Sequence, residues 1–343
     1  MIEIDGSYLE GGGQILRTAS VLSIITQKPC RIFNIRKKRK KPGLQTQHFL
    51  GLKTLQDLTG AKIEGVYLGS EEVIIYPTSN VWLKENLELK IDTAASITLI
   101  LQGLILTIVG IGKKPILIHI RGGATDTFFS PTIDHFRFVF LEILKKMGIT
   151  YELSIIKRGF YPKGGAEIKI TITPPTHFSP LNLVNRGELK NITILSGASE
   201  LLRAKRVAER QIKGAKEILA KLKLPIREKV EYYQTLSSGS QINIIGYFEN
   251  TIMGTDNLGK IEKPAEVVGK EAAQEFLRQG LRDSCLDKHL ADQILPYMAL
   301  SNQNSMITVS EITNHCKTNI WVIEKFLPGK FLIKDNKISW NKK

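Results

Sequence analysis

The sequence has few cysteines, and this excludes a disulfide framework. Only Cys30, Cys285 and Cys316 occur among the 343 residues, and no two of them have the CxxC spacing of a zinc site. We therefore expect reduced thiols and a cytoplasmic protein.

The chain also lacks a long uninterrupted apolar run. The longest apolar stretch, 97–111, is interrupted by Thr98, Gln102 and Gly110. A membrane-spanning helix needs about 20 apolar residues, so this stretch is better read as a buried helix. The chain begins Met-Ile-Glu-Ile-Asp rather than with a basic and apolar leader, so we expect neither a signal sequence nor a membrane protein.

Acidic residues are in the minority. Lys and Arg number 48 against 33 Asp and Glu, which leaves a net charge of +15. An excess of this size favours a polyanionic partner, and nucleic acid is the commonest one. The alternative is a lysine-rich surface kept for solubility or heat tolerance.

Three segments share one order of elements: strand, helix, strand, strand. Alternating apolar residues indicate the strands, and a glycine just past a helix indicates its end. This pattern predicts an α+β fold in which three repeated units form a large domain. The predicted units are strand 31–35, helix 47–59 and strands 62–65 and 73–76; strand 116–120, helix 132–147 and strands 150–157 and 167–173; and strand 307–310, helix 319–326 and strands 330–333 and 337–340.

A stretch of different character separates the second and third units. We therefore expect a small inserted α/β domain over 184–284, with 1–183 and 285–343 forming the large domain. Its predicted elements are strand 191–195, helix 201–222, strands 230–234 and 241–248, and helix 265–281. The first of these helices is basic, which is typical of a solvated surface; contact with nucleic acid is the alternative. Its cations are Arg203, Lys205, Arg206, Arg210, Lys213, Lys216, Lys221 and Lys223.

Two short motifs are rich in glycine. Gly11, Gly12 and Gly13 precede a helix, and bare backbone N–H groups at a helix N-terminus suit a phosphate. Glu10 beside them could hold Mg²⁺, although a glycine turn that only caps the helix is the alternative. The second motif, GFYPKGG at 159–165, is most simply a hairpin turn between two strands.

Six consecutive cations occupy 36–41, followed by Pro-Gly. Their mutual repulsion favours an anionic ligand such as polyphosphate or an RNA backbone, with an exposed loop as the alternative. Gln47 and His48 begin the next helix and could face the same ligand.

Among six histidines, none has metal-ligand spacing with another. His315 comes just before the predicted helix 319–326. A helix N-terminus lowers the pKa of a nearby histidine, and a neutral imidazole can act as a nucleophile.

Together these motifs resemble the RNA 3'-terminal phosphate cyclase family. The resemblance covers both ends of the chain and keeps the family's order. The matching stretches are EGGGQILR at 10–17, the segment 36–48 with KPGL and QH, GFYPKGG at 159–165, LADQILPYMAL at 290–300 and HCKTNIWVIEKFL at 315–327.

The resemblance implies an ATP-dependent enzyme that converts an RNA 3'-phosphate end to a 2',3'-cyclic phosphate through a covalent histidine–AMP. It implies RNA ends bound with little sequence specificity, and it leaves a homodimer open. A catalytically silent relative acting in ribosomal RNA processing is the alternative. An enolpyruvyl transferase is a more distant one, and it would have no use for the cations at 36–41.

The resemblance also implies roles for particular residues. His315 matches the nucleophile, and Glu10 matches the carboxylate that helps hold Mg²⁺ or Mn²⁺. The expected ATP-binding residues are Gln102, Pro131, His289, Leu290, Ala291, Asp292 and Gln293. The expected RNA and phosphate ligands are Arg17, Arg36, Arg39, Lys41, Gln47 and His48. The sequence departs from the family at His289, where an aromatic tyrosine is expected against adenine, and at Tyr8-Leu9, where a small or polar pair is expected.

Overall fold

The computed structural model describes residues 1–79, 83–280 and 283–342, and over these ranges the chain is a mixed α+β protein. The described strands are β1 (Ile2–Asp5), β2 (Cys30–Phe33), β3 (Lys62–Glu64), β4 (Val73–Tyr76), β5 (Asn86–Ser96), β6 (Ile116–Ala124), β7 (Thr150–Lys157), β8 (Glu167–Thr173), β9 (Asn182–Leu183), β10 (Leu189–Ser199), β11 (Ile226–Tyr233), β12 (Ser240–Phe248), β13 (Ile252–Leu258), β14 (Ser305–Thr308), β15 (Gly329–Lys334) and β16 (Lys337–Lys342). The described α-helices are α1 (Gly13–Thr26), α2 (Thr46–Thr59), α3 (Ile97–Ile111), α4 (Ile133–His135), α5 (Leu141–Lys146), α6 (Val207–Leu219), α7 (Ala265–Gly280), α8 (Lys288–Leu300) and α9 (Asn314–Phe326).

Three of the four sheets have the same strand arrangement. Their orders are β1-β2-β4-β3, β5-β6-β8-β7 and β9-β14-β16-β15. In each, the first pair of strands is parallel and the other two pairs are antiparallel. The apolar faces of these sheets share one core with the helices packed on them.

The remaining sheet has the order β11-β10-β12-β13 and a separate core. Helices α6 and α7 pack together on it, and residues such as Ile194, Ile244 and Phe276 are buried between helix and sheet. Its four strands and two helices all lie between β9 and α8 in the chain.

The apolar stretch 97–111 is a buried helix, as predicted. Ser96 caps α3 by accepting a hydrogen bond from the Leu99 N–H, and eleven of its fifteen residues are buried. Helix α1 packs against both α3 and α9, and α9 packs against α8. The first turns of α1, α8 and α9 carry most of the candidate site.

Several predicted boundaries were wrong. Helix α9 begins at Asn314 rather than 319, because the Thr313 hydroxyl caps it by accepting from the Cys316 N–H at 3.1 Å. The predicted helix 201–222 is divided by Arg206, whose φ of +49° cannot continue a helix; a 3₁₀ segment precedes it and α6 follows. Strands β1, β5, β9 and β13 and helix α8 were not predicted. The predicted end of the helix 265–281 lies outside the described residues.

The three cysteines are buried and form no disulfide within the described chain, as expected. Among the described helices, none combines the length and apolar character needed to cross a bilayer.

Candidate active site

The glycine motif opens a helix without any side-chain cap. Leu9 and Gly11 adopt left-handed backbone conformations, with φ of +50° and +59°, and Gly12 is the N-cap of α1. The first N–H groups of α1 therefore meet no capping side chain, which is the arrangement that binds a phosphate. Gly13 is required by close approach, since a Cβ there would lie 2.2 Å from His48 Nε2.

His315 faces this motif from the first turn of α9. Its Nε2 contacts Glu10 Oε1, and its Nδ1 lies 4.0 Å from Asp292 Oδ2. Burial lowers the pKa of His315 below its ordinary 6.5, so the ring is neutral at pH 7. Nearly half of the side chain remains exposed, which leaves it accessible to a ligand. A neutral, accessible imidazole flanked by two carboxylates is suited to nucleophilic attack.

Asp292 is a buried carboxyl in the middle of this arrangement. Desolvation raises its pKa to about 7, although the Arg17 guanidinium favours its charged form. Asn319 holds its backbone: the Asn319 Nδ2 donates to the Asp292 carbonyl at 2.9 Å. The Thr18 hydroxyl donates to Asn319 Oδ1, also at 2.9 Å. One asparagine therefore ties α1, α8 and α9 together behind His315.

The residues expected to bind ATP lie on three neighbouring elements. The Gln102 amide donates to Gln293 Oε1 at 2.9 Å, and the Gln293 amide donates to the His289 carbonyl at 2.8 Å. One turn before Gln102, the Thr98 hydroxyl donates to the Pro131 carbonyl at 2.9 Å. The structure therefore brings these predicted residues together.

A cavity of about 20 Å³ opens beside them, lined by Arg17, Thr18, Gln102, Leu106, Phe140, Asp292, Gln293, Pro296, Tyr297 and Asn319. His289 is exposed in the first turn of α8, whereas Leu290 and Ala291 are completely buried in the core. Those two residues therefore pack in the core and do not face the cavity.

The loop of six cations folds over the glycine motif. Lys38 Nζ donates to the Leu9 carbonyl at 3.0 Å, and Arg39 Nη2 lies 3.9 Å from Glu10 Oε2. Arg36 donates to the Lys41 carbonyl at 3.2 Å, and burial lowers the pKa of its guanidinium. The cation loop therefore lies beside Glu10 and near the bare N–H groups of α1. An anion bound to those N–H groups would be close to the cations.

His48 is a neutral hydrogen-bond donor in this environment. Burial, together with Arg36 and Arg17, lowers its pKa to about 3. Its Nδ1 accepts from the Gln45 N–H at 3.1 Å, so the ring proton is on Nε2, which faces Gly13. Arg17, Gln47 and His48 form the polar side of a mostly apolar cavity of about 50 Å³ between α1, α2 and α3.

Two features of the site were missed by the sequence analysis. The Tyr8 ring stacks on Trp321, with centroids 4.3 Å apart, and fixes the glycine motif against α9. The pair Thr18 and Asn319 was also missed. These contacts join residues about 300 positions apart, and no local pattern signals them.

The described part of the chain contains no group of three His, Cys, Asp or Glu residues arranged to hold a metal ion. The carboxylate at the centre of the site is Glu10. Its Oε1 is buried and accepts no hydrogen bond within the protein, although it touches His315. A single carboxylate of this kind fits an ion such as Mg²⁺, which takes one or two carboxylates and completes its shell with phosphate oxygens and water.

Comparison with known proteins agrees with this geometry. Residues 8–333 match the family described as RNA 3'-terminal phosphate cyclase. A protein of that name from Pyrococcus abyssi is 44% identical over 338 residues, covering 98% of this chain and 96% of the relative. Those from Sulfurisphaera tokodaii and Thermococcus kodakarensis are each 42% identical, covering 95% and 96% of this chain and 94% of each relative. The chain belongs to the RNA 3'-terminal phosphate cyclase family.

Proposed function

We propose that this enzyme uses ATP to convert the 3'-terminal phosphate of an RNA to a 2',3'-cyclic phosphate through a covalent adenylate on His315. Membership of the family makes the chain a ligase-type enzyme that uses ATP and acts in RNA processing. The observation that carries the proposal of mechanism is His315, neutral and accessible, facing Glu10 and the uncapped N-terminus of α1.

Three displacements at phosphorus complete the reaction. A ring nitrogen of His315 attacks the α-phosphorus of ATP, the bond to the β-phosphate oxygen breaks, and pyrophosphate leaves. An oxygen of the RNA 3'-phosphate then attacks the same phosphorus and breaks the nitrogen–phosphorus bond. Finally the adjacent 2'-hydroxyl attacks the 3'-phosphate, loses its proton and expels AMP. Activation of the RNA 3'-phosphate by AMP replaces a poor leaving group, a bare phosphate oxygen, with a good one, AMP.

The chain's own groups supply positioning and charge. Glu10 contacts the Nε2 side of the His315 ring, and the Asp292 carboxyl lies 4.0 Å from Nδ1, so the two groups orient the ring from opposite sides. The cations at 36–41, the α1 N–H groups and the neutral His48 donor offset the negative charge of the phosphates. Gln102, Gln293 and Pro131 form the side of the site on which we expect the adenosine.

Glu10 is the residue that would hold Mg²⁺ or Mn²⁺. Such an ion neutralises phosphate charge and orients the phosphate oxygens. The buried Oε1 without a hydrogen bond supports this assignment.

We also propose that the fold consists of three repeated units with an inserted domain over 184–284. The common strand order of three sheets supports the repeat. The different order and separate core of the sheet β11-β10-β12-β13 support an insertion between β9 and α8.

The test is covalent capture of AMP. The protein is incubated with a divalent metal and ATP labelled at the α-phosphate, denatured, and examined for bound label. We expect acid-labile, alkali-stable label that is lost in His315→Ala and kept in His289→Ala. His177→Ala is the matched control, because His177 is exposed in the connection between β8 and β9.

Loss of the label only in His289→Ala would mean that His289, and not His315, is the nucleophile. Absence of label in every folded variant, wild type included, would contradict the mechanism and favour a catalytically silent RNA-binding relative.

A further inference from the structure

The motif GFYPKGG remains outside the chemistry described above. Its backbone forms a tight turn: the Gly164 N–H donates to the Phe160 carbonyl at 2.8 Å, and Gly164 and Gly165 have φ of +69° and +79°. Phe160 is buried, but Tyr161 and Lys163 point to solvent. A turn that only joined β7 to β8 would not need an exposed aromatic ring and an exposed ammonium group.

Four loops meet around this turn in a closed ring of contacts. Asp126 forms a β-bridge with Phe160, and the Phe160 ring fills the space beside Gly239, where a Cβ would lie 2.4 Å from Cγ. Next along the chain, the Ser240 carbonyl accepts from the Gly259 N–H at 2.8 Å.

Lys260 closes the ring, since its Nζ lies 5.7 Å from the centre of the Phe128 ring in the first loop. The loops come from β6–α4, β7–β8, β11–β12 and β13–α7. We call the solvent-facing residues of these loops the four-loop surface. They are Phe128, Phe129, Tyr161, Lys163, Leu236, Lys260 and Ile261.

The four-loop surface exposes apolar rings and lysines side by side. Phe129 is fully exposed and Ile261 is 94% exposed. Phe129 has a φ of +64°, a backbone conformation that is unfavourable for a bulky side chain. Lys163 and Lys260 are both exposed, although Lys260 also lies over the Phe128 ring and helps to lower the pKa of Glu271. The two ammonium groups place positive charge beside the exposed rings.

This surface borders the candidate nucleotide site. Phe129 is two residues from Pro131, so their Cα atoms are at most about 7 Å apart. The Pro131 carbonyl is hydrogen-bonded to Thr98, one turn before Gln102. Phe128 and Phe129 therefore lie beside the residue whose carbonyl borders this site.

We propose that the four-loop surface binds the single-stranded RNA just upstream of the 3'-phosphate. Aromatic rings stack on bases without regard to sequence, and lysines contact the phosphates between them. A second copy of the chain is a poorer occupant, because lysines are depleted in the cores of protein interfaces and these two would be buried without partners. The proposal rests on the proposed function.

The test compares RNA length. Fluorescence anisotropy measures binding of 3'-phosphorylated RNAs of about three and about twelve nucleotides, which bracket the reach of the surface. We expect Phe129→Ala/Lys260→Ala to weaken binding of the longer RNA about tenfold, the value of one stacked base, and to leave the shorter RNA unchanged. Ile333→Ala/Lys334→Ala is the matched control, because both residues are exposed on β15, in a different sheet.

Two further measurements, AMP capture and sedimentation, distinguish failure of the RNA surface from failure of the proposed function. Capture of labelled AMP involves no RNA and should be equal in all these variants. Loss of capture in wild type contradicts the proposed function, whereas normal capture with unchanged binding of the longer RNA overturns the RNA surface alone. If sedimentation shows that the double variant changes the oligomeric state while RNA binding is unaffected, the surface binds a second copy and the RNA proposal is wrong.

Discussion

At the scale of single residues, burial gives three histidines of this chain different capacities. His48 is buried beside two arginines and its pKa falls to about 3, so it acts only as a neutral donor. His315 is half-exposed and neutral, with a carboxylate on each side. His135 is completely enclosed beside Asp287, whose charge raises its pKa despite burial. Residue type alone does not separate these three histidines; their surroundings distinguish a candidate nucleophile from a donor and from a core residue.

Asp292 yields a prediction about stability and pH. Its pKa rises from 3.8 to about 7 in the folded protein because of desolvation. The folded state therefore holds a proton that the unfolded state releases over this range, and stability falls as the pH rises through it. We expect the advantage of Asp292→Asn over wild type in free energy of unfolding to grow by about 1.4 kcal/mol per pH unit between about pH 4 and pH 7.

Urea unfolding measured across this pH range checks the prediction. Asp57→Asn is the control, because it makes the same substitution at an exposed position on α2. A constant difference for Asp292→Asn would mean that the carboxyl stays ionised in the folded protein.

At the scale of elements, the sequence predicted some strands and helices at their observed bounds and missed others altogether. Alternation located β7 and β8 at their exact bounds. Helix α8 was missed because Pro296 lies inside it, and proline ordinarily ends a helix. The start of α9 was missed because its first turn, Asn-His-Cys-Lys-Thr, has low helix propensity. The N-cap Thr313 was the signal that could have corrected it.

The cap on α9 leads to a prediction about catalysis. The Thr313 hydroxyl anchors the turn that carries His315, so Thr313→Ala should lower the free energy of unfolding by about 1 kcal/mol. We also expect it to slow the capture of AMP by up to about tenfold, because His315 loses its fixed position against Glu10. Thr313→Ser keeps the hydroxyl and should restore both values. A destabilised Thr313→Ala that captures AMP at the wild-type rate would show that the cap serves only folding.

The site as a whole could be predicted only in part. Local motifs identified Glu10, the cation loop and His315, because their chemistry is visible in a few consecutive residues. The contacts that assemble them, such as Tyr8 on Trp321 and Thr18 on Asn319, depend on how distant helices pack. Sequence reasoning therefore proposed the candidate reacting groups and missed the contacts that hold them together.

At the scale of the whole molecule, the net charge is +15, but the basic residues differ in how many carboxylates lie near them. On the basic face of α6 and the residues flanking it, Arg203 pairs with Glu200, Arg210 with Glu266, and Lys216 with Glu228. These pairs favour the solvated-surface interpretation of that face. The loop 36–41 has fewer carboxylates nearby, the one ion pair among its described contacts being Arg39 with Glu10.

This contrast predicts where the salt dependence of RNA binding originates. Each phosphate contact on a single strand contributes about 0.7 to the slope of log K against log salt concentration. Replacing Lys37 and Lys40 by alanine should therefore weaken binding and flatten the slope by up to about 1.4. Replacing Lys213 and Lys221 removes the same charge from the basic face and should leave the slope unchanged. Anisotropy titrations between low and physiological salt measure both slopes. The prediction is wrong if the Lys37/Lys40 variant has the same slope as wild type, or if the Lys213/Lys221 variant has a flatter one. A flatter slope for the Lys213/Lys221 variant would mean that RNA contacts the basic face rather than the cation loop.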